Sequence, residues 1–312
     1  MSWRGLKVVL VAKFNTAYHR TGLGLAEALG ELGCEVRRVD LRAKTWERWI
    51  GRSLGRRLGG AVRGADLVLS YKAAELTPSL AEAAKSGSRA IWVNWFPDSP
   101  HLLDVALTNS ASYDRCFLFD SFMVDRLRQA GRPAEFLPLG YDPAFYRPIP
   151  DPGAMVPLVF VGSTEPLRDA ALARLDGLGL RLWGPGRPAG PLFGQTLVRT
   201  YARAQVALNI HQFFGEPPAM GRYGTGANQR VFELAGIGVP QLCDAKADIA
   251  RSFVEDAEIV LFRTGDELRA KAEALLADPA WRTRLADAAH RRALAEHTWR
   301  ARLGELLARV LR

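Results

Sequence analysis

Residues 228–242 read Asn-Gln-Arg-Val-Phe-Glu-Leu-Ala-Gly-Ile-Gly-Val-Pro-Gln-Leu, a helical pattern that runs into a short apolar strand pattern. Glu233 would lie on the first turns of this helix, where its carboxylate can accept two hydrogen bonds from a ribose diol. Gly236 and Gly238 let the backbone pass close to a ligand, and the helix N-terminus offers free N–H groups to a diphosphate. A surface glutamate on an ordinary amphipathic helix explains the same residues, so both interpretations stay open here.

Short apolar runs alternate with amphipathic helical stretches on both sides of this segment, which is typical of βα units around a parallel sheet. The predicted strands are 6–12, 35–41, 65–71, 90–95, 115–119, 134–139, 156–161, 180–183, 206–210, 239–243 and 258–262. The predicted helices are 22–32 with Thr21 as N-cap, 78–85, 121–130, 167–178, 192–204, 229–235, 267–276, 281–294 and 298–311. The sequence therefore predicts an α/β protein.

A proline-rich stretch, Gly140–Gly153, divides this pattern into two halves, because its prolines exclude a regular helix or a central strand. We predict a Rossmann-like domain over 1–142, a linker over 143–155 and a second Rossmann-like domain over 156–296. A closing helix over 297–312 would pack back toward the first domain. Two parallel sheets facing across a cleft would place a ligand at the ends of their strands.

The composition fits a soluble globular chain of 312 residues, with 48% hydrophobic and 24% charged residues. No apolar run approaches the roughly 20 residues of a membrane span, and we read no signal peptide at the N-terminus. The cysteines Cys34, Cys116 and Cys243 lie far apart, as expected of buried thiols in a reducing cytoplasm. The net charge of +9 favours anionic partners without choosing among nucleotides, anionic lipid and nucleic acid.

Several motifs occur in an order that resembles the donor domain of GT-B glycosyltransferases, specifically the CgeB-type, family-1-like group. They are Phe160-Val-Gly-Ser163 with Arg168, Leu180-Arg-Leu-Trp-Gly184, Tyr201-Ala-Arg-Ala204, Val206-Ala-Leu-Asn-Ile-His211, Asn228-Gln-Arg-Val-Phe-Glu233 with Gln241-Leu242, and the closing Glu267-Leu268, Asp278-Pro279 and His297-Thr-Trp299. The resemblance covers about residues 130–312. It implies a GT-B fold, with an N-terminal acceptor domain and a C-terminal domain for a nucleotide-sugar donor.

Carried over to this sequence, the resemblance implies that Glu233 binds the ribose. Arg168 and Arg230 would face the diphosphate, where guanidinium groups match phosphate oxygens, and Ser163 would add a hydroxyl donor. The other implied donor-binding positions are Gly162, Gly184, His211 and Asn228. Many retaining GT-B enzymes carry an acidic residue eight positions before the ribose glutamate, but this chain has Thr225 there. Retention and inversion both stay open.

The first half should supply the acceptor site and a base for the acceptor hydroxyl. Asp98 follows the fourth predicted strand and is our first candidate. His19, in the loop after the first strand, is the second, since its ordinary pKa lies near neutrality. A solvated loop histidine is the competing interpretation of His19.

The resulting prediction is a metal-independent, hexosyl-type glycosyltransferase of the cytoplasm that uses a nucleoside diphosphate sugar and needs no cofactor. Its acceptor would be a hydroxyl of a glycan, a protein or a small molecule. The alternatives are a sugar-nucleotide epimerase or hydrolase on the same scaffold, and a non-catalytic glycan- or nucleotide-binding protein. No nucleic-acid motif is evident. Residues 45–64 combine tryptophans with arginines, which is compatible either with peripheral membrane contact or with an ordinary helix packed on the sheet.

Overall fold

The computed structural model describes residues 3–14, 20–41, 50–215 and 224–311. The chain forms two compact α/β units. The first comprises Met1–Pro138 and Trp299–Arg312, and the second comprises Leu139–Thr298. The predicted linker over 143–155 therefore lies within the second unit, and the last helix belongs to the first.

The first unit is built on a six-stranded parallel sheet with the order β2-β1-β3-β4-β5-β6. Its strands are β1 Lys7–Ala12, β2 Glu35–Asp40, β3 Leu67–Tyr71, β4 Ile91–Phe96, β5 Arg115–Leu118 and β6 Ala134–Phe136. Its helices are α1 Thr21–Glu31, α2 Ile50–Ala61, α3 Pro78–Lys85, α4 Leu103–Asn109, α5 Ser121–Gln129 and α11 Trp299–Val310. Strands β3 and β4 are buried almost throughout, as expected of parallel strands covered by helices on both faces.

The start of α1 corrects the predicted cap. The helix begins at Thr21 itself, and Arg20 precedes it without a side-chain cap. Gly22 packs on the end of β1 so closely that an added Cβ atom would lie 2.4 Å from the Lys13 carbonyl oxygen. Because only glycine permits this approach, packing rather than a hydroxyl cap sets where the helix begins.

Helix α2 lies in the stretch 45–64, for which two interpretations were open. Leu54, Leu58 and Val62 are buried in the core of the first unit, whereas Arg56, Arg57 and Arg63 are exposed. The apolar face of the helix therefore covers the sheet. Trp46 and Trp49 lie outside the described residues.

The second unit holds a five-stranded parallel sheet with the order β11-β10-β9-β7-β8. Its strands are β7 Val156–Val161, β8 Leu180–Trp183, β9 Ala204–Asn209, β10 Gln241–Asp244 and β11 Val260–Phe262. Its helices are α6 Pro166–Ala173, α7 Gly194–Ala202, α8 Gln229–Ile237, α9 Gly265–Ala277 and α10 Pro279–Glu296. Leu158 and Phe160 point into one apolar layer and Val159 into the other, since successive side chains of a strand alternate between faces.

Among the described residues, no helix is both long enough and apolar enough to cross a bilayer.

Candidate functional site

Loops that follow neighbouring strands meet at the carboxyl edge of the second sheet, where ligands of parallel α/β proteins bind. The loops after β7 and β8 touch backbone to backbone, and the Gly162 N–H donates to the Trp183 carbonyl over 2.8 Å. Gly184 has a φ of +142°, and a Cβ atom there would lie 2.1 Å from the Gly162 carbonyl oxygen. Both predicted glycines therefore lie at one close contact between loops, and the backbone at Gly184 requires glycine.

Arg168 is buried, and its guanidinium donors turn toward the protein. Nη2 donates to Ser163 Oγ over 2.9 Å and also to the Ser163 carbonyl, while Nη1 donates to the Ile210 carbonyl over 3.3 Å. The guanidinium also lies 5.4 Å from the centre of the Phe160 ring. Burial lowers the pKa of this arginine. The structure thus brings Arg168 and Ser163 together, and these contacts fix the loop after β7.

A second guanidinium, that of Arg187, also lies against the Phe160 ring. This residue was not among the site residues predicted from the sequence. Arg187 Nε donates to the Gly162 carbonyl over 2.8 Å, and Nη2 lies 2.6 Å from Asp169 Oδ1. Its distance to the centre of the Phe160 ring is 5.3 Å. Arg187 belongs to a loop rich in glycine and proline, where no periodicity marks a residue as buried. Two positive charges therefore flank Phe160 next to Gly162.

Asn228 organises the beginning of α8. Its side-chain oxygen accepts from the Val231 N–H over 3.2 Å, which caps the helix. Its amide also forms a reciprocal pair with the amide of Asn209 at the end of β9, with bonds of 3.0 and 3.1 Å. These bonds fix the helix N-terminus to the sheet, so Asn228 has a positional role whether or not it contacts a ligand.

His211 joins Asn228 to the neighbouring strand. Its backbone N–H and its Nδ1 lie 2.8 and 2.6 Å from Asp244 Oδ1, and its Nε2 accepts from the Asn228 N–H over 3.0 Å. This pattern requires the neutral ring with its proton on Nδ1. Both ring nitrogens are thereby hydrogen-bonded within the fold, so His211 holds α8 in its orientation. In this arrangement neither ring nitrogen is available to bind a nucleotide-sugar donor.

Among the described residues, His211, Cys243 and Asp244 form the one group whose ligand atoms could reach a common metal ion, all within 4.8 Å of one another. The histidine and the carboxylate are hydrogen-bonded to each other. Burial raises the pKa of the Cys243 thiol well above its ordinary value, which disfavours the thiolate that a metal would need. We interpret the group as a hydrogen-bonded network.

Asp244 should make the second unit sensitive to acid. Burial raises its pKa, but the hydrogen bonds from His211 and the charge of Lys246 outweigh burial, so the net pKa lies below the ordinary 3.8. A depressed carboxyl pKa stabilises the fold above the unfolded value, and this stability is lost as pH falls through the folded value. We expect Asp244→Asn to lower the free energy of unfolding at pH 7 by about 2–3 kcal/mol.

The difference between wild type and Asp244→Asn should then shrink below about pH 4, as urea unfolding curves at several pH values would show. Asp266→Asn is the matched control, because the Asp266 side chain is 86% exposed. A difference that stays constant down to pH 2 would contradict the assignment.

Glu233, the predicted ribose ligand, lies buried on α8. Its Oε1 accepts from Gln229 Nε2 over 2.8 Å, and its Oε2 lies 2.8 Å from Arg230 Nη1. Tyr146 lies near the same carboxylate, and its pKa is raised by burial first and then by the charge of Glu233. Arg230 in turn lies 5.3 Å from the centre of the Tyr201 ring. The structure therefore brings Glu233 and Arg230 together as an ion pair.

A carboxylate offers about four lone-pair positions; Gln229 and Arg230 take up two of them, so about two remain for a ribose diol. Of these two contacts, the charged one to Arg230 is the stronger.

Asp98 lies at the carboxyl edge of the first sheet, just after β4. Lys72 Nζ donates to its Oδ1 over 2.7 Å; the Asp98 side chain is 14% exposed and that of Lys72 is 41% exposed. Lys72 and Ala73 have φ angles of +66° and +48°, a conformation that costs non-glycine residues about 1–2 kcal/mol each. A partly exposed ion pair contributes only about 0.2–1 kcal/mol to stability, which is less than the cost of the two left-handed residues. A gain in stability therefore does not explain why the chain adopts this turn.

The second candidate base lies outside the described residues. His19 belongs to residues 15–19. Thr225 is described, and its carbonyl accepts from the Asp248 N–H over 2.9 Å.

Residues 165–308 match a family model described as glycosyl transferase-like. No curated protein matches the chain in sequence. Among solved structures, sucrose-phosphate synthase from Thermosynechococcus elongatus has a TM-score of 0.67 at 14% identity, with 98% of this chain and 99% of that chain covered. Anabaena Alr3699/HepE in complex with UDP and glucose has a TM-score of 0.65 at 12% identity, covering 97% and 99%.

AviGT4, a glycosyltransferase involved in avilamycin A biosynthesis, has a TM-score of 0.68 at 19% identity, covering 98% of this chain and 97% of that chain. These likenesses show the fold. The chain has the GT-B fold of glycosyltransferases, built from two α/β domains with parallel sheets, and that part of the prediction is confirmed.

Proposed function

We propose that this protein is a glycosyltransferase that moves a sugar, of hexosyl type, from a nucleoside diphosphate sugar to an acceptor hydroxyl. The observation that carries the proposal is the glycosyl transferase-like match over residues 165–308. That segment contains the carboxyl edge of the second sheet, with its ion pair between the buried Glu233 and the partly exposed Arg230. A solved structure of similar fold, in complex with UDP and glucose, supports a nucleotide sugar as the substrate. We keep the CgeB-type subgroup as part of the proposal.

The second unit would bind the donor. Glu233 would accept hydrogen bonds from the ribose, and Arg230 with the first N–H groups of α8 would face the diphosphate. Arg168 and Arg187 would hold the loop after β7, including Gly162 and Ser163, in the shape that the donor needs. These cationic groups would stabilise the departing diphosphate without a metal ion.

The first unit would supply the base. As the acceptor oxygen forms its bond to the sugar C1, the bond from C1 to the diphosphate oxygen breaks and the nucleoside diphosphate leaves with that electron pair. Asp98 would take the acceptor proton, because a carboxylate placed at a strand end can act as a general base.

Thermal unfolding against a panel of nucleoside diphosphates and their sugars tests the proposal. A ligand at about 100 times its Kd adds roughly 2.7 kcal/mol to the free energy of unfolding, which raises the Tm by about 4 °C for a chain of this size. We expect one base to stand out, and that sugar nucleotide is then incubated with mixed glycan, protein and small-molecule acceptors. If the protein is folded and none of these ligands raises its melting temperature, the proposal is overturned.

The same incubation separates the alternatives by product. Free sugar without an acceptor adduct indicates a hydrolase, and a rearranged sugar nucleotide indicates an epimerase. Selective binding without any product indicates a non-catalytic binding protein. Transfer to an added hydroxyl, detected by mass spectrometry, supports the proposed activity.

We also propose peripheral contact with anionic membranes through 45–64. The exposed Arg56 and Arg57 on α2 and the exposed Arg63 just after it support this proposal. Each basic residue near an anionic surface contributes about 1 kcal/mol. We expect co-sedimentation with phosphatidylserine vesicles that falls at high salt, and a weaker response of the triple variant in which these three arginines become glutamine. Equal sedimentation of both proteins would contradict it.

A further inference from the structure

We infer that Lys72 is a positioning residue for Asp98: its ammonium group holds the carboxylate so that one oxygen is directed by the protein and the other is left for the acceptor hydroxyl. The inference rests on the proposed role of Asp98 as the base, and it concerns the first unit alone.

The contact between the two side chains is direct. Lys72 Nζ donates to Asp98 Oδ1 over 2.7 Å, and within the described part of the chain no hydrogen bond reaches Oδ2. An ammonium on one carboxylate oxygen fixes the rotation of the carboxyl group and leaves the second oxygen to accept a proton. That is the arrangement a general base needs, since proton transfer depends on a well-placed acceptor atom.

The backbone holds Lys72 in place for this contact. Residues 72 and 73 both adopt left-handed conformations directly after β3, a region where glycine or asparagine is the usual occupant. The Lys72 N–H donates to the Trp95 carbonyl of β4 over 3.0 Å. The strained turn is thereby anchored to the strand whose following loop carries Asp98, and strain of this kind is found at functional sites.

A neighbouring ion pair provides the matched control. Lys13, after β1, pairs with Glu75, and their side chains are 48% and 40% exposed. Lys13 thus lies on the same edge of the sheet, with similar exposure and the same charge, but it pairs with a different carboxylate. Removing its charge changes the local field without releasing Asp98.

The experiment measures kcat and both KM values for Lys72→Met, Lys72→Arg and Lys13→Met with the nucleotide sugar and acceptor found in the panel. We expect Lys72→Met to lower kcat by about 10- to 100-fold with both KM values within about twofold. Lys72→Arg, which restores a cation, should recover kcat to within about fivefold of wild type, and Lys13→Met should remain within about twofold. Melting temperatures verify that each variant folds, and Lys72→Gln replaces Lys72→Met if that variant does not.

Combining Lys72→Met with Asp98→Asn isolates the route of the effect. If Lys72 acts through Asp98, the double variant has the kcat of Asp98→Asn alone. Equal kcat values for Lys72→Met and Lys13→Met would overturn the inference and leave the base intact. A raised acceptor KM at unchanged kcat would overturn it in favour of direct acceptor binding by Lys72. Full activity of Asp98→Asn would instead remove the base and, with it, this inference.

Discussion

Replacing Asp98 with asparagine lowers kcat for glycosyl transfer by about 100- to 10,000-fold, the usual contribution of a general base. Asparagine keeps the size of the side chain and an oxygen for the contact with Lys72, but its amide cannot take the acceptor proton. The KM for the nucleotide sugar stays within about twofold, because we assign donor binding to residues of the second unit. Steady-state kinetics with purified protein and the sugar nucleotide selected by the panel measure both quantities.

Two controls accompany this prediction. Asp104→Asn removes an exposed carboxylate on α4, in the same part of the first unit, and should leave kcat unchanged. His19→Asn tests the second candidate base. Loss of activity in His19→Asn, with an active Asp98→Asn variant, would transfer the role to His19.

The strands and most helices could be predicted from the sequence because their signal is local. Predicted strands at 6–12, 65–71 and 180–183 match β1, β3 and β8 to within two residues at either end. Helix α4 and its flanking short turns were missed, since residues 103–109 lie between prolines and serines and carry little apolar periodicity. The predicted helix 167–178 ends earlier, as α6 at Ala173, where the chain turns toward the glycines 177 and 179.

The candidate site was predictable only as far as residue types at strand ends are informative. The sequence placed Arg168 and Glu233 on predicted helices and His211 directly after a predicted strand, but it could not show the direction of their donors and acceptors. In the structure Arg168 bonds to backbone carbonyls and His211 to Asp244 and Asn228. Arg187 and Lys72 were missed because each depends on a contact with a distant residue, Asp169 or Asp98, which no local pattern records.

Replacing Glu233 with glutamine should remove recognition of the ribose hydroxyls. In the wild type we expect the preferred nucleoside diphosphate to bind about 10- to 100-fold more tightly than its 2′-deoxy analogue, since a hydrogen bond to a charged group contributes about 1.5–3 kcal/mol. The glutamine variant loses the charge that makes these bonds strong, so it should bind both nucleotides alike, near the affinity of the wild type for the deoxy analogue. Isothermal titration calorimetry of the four combinations gives the coupling between the carboxylate and the hydroxyl.

The four-way comparison separates contact with the ligand from a role in the fold, which matters because Glu233 also pairs with Arg230 and bonds to Gln229. A variant that only destabilised α8 would bind both nucleotides more weakly by the same factor, and it would keep the preference for ribose over deoxyribose. Gln229→Ala is the matched control, since it removes a neighbouring donor to the same carboxylate and frees a lone pair for the diol, so its preference for ribose should persist. An unchanged preference in Glu233→Gln would show that the ribose is recognised elsewhere and would leave Glu233 as the partner that holds Arg230 in place.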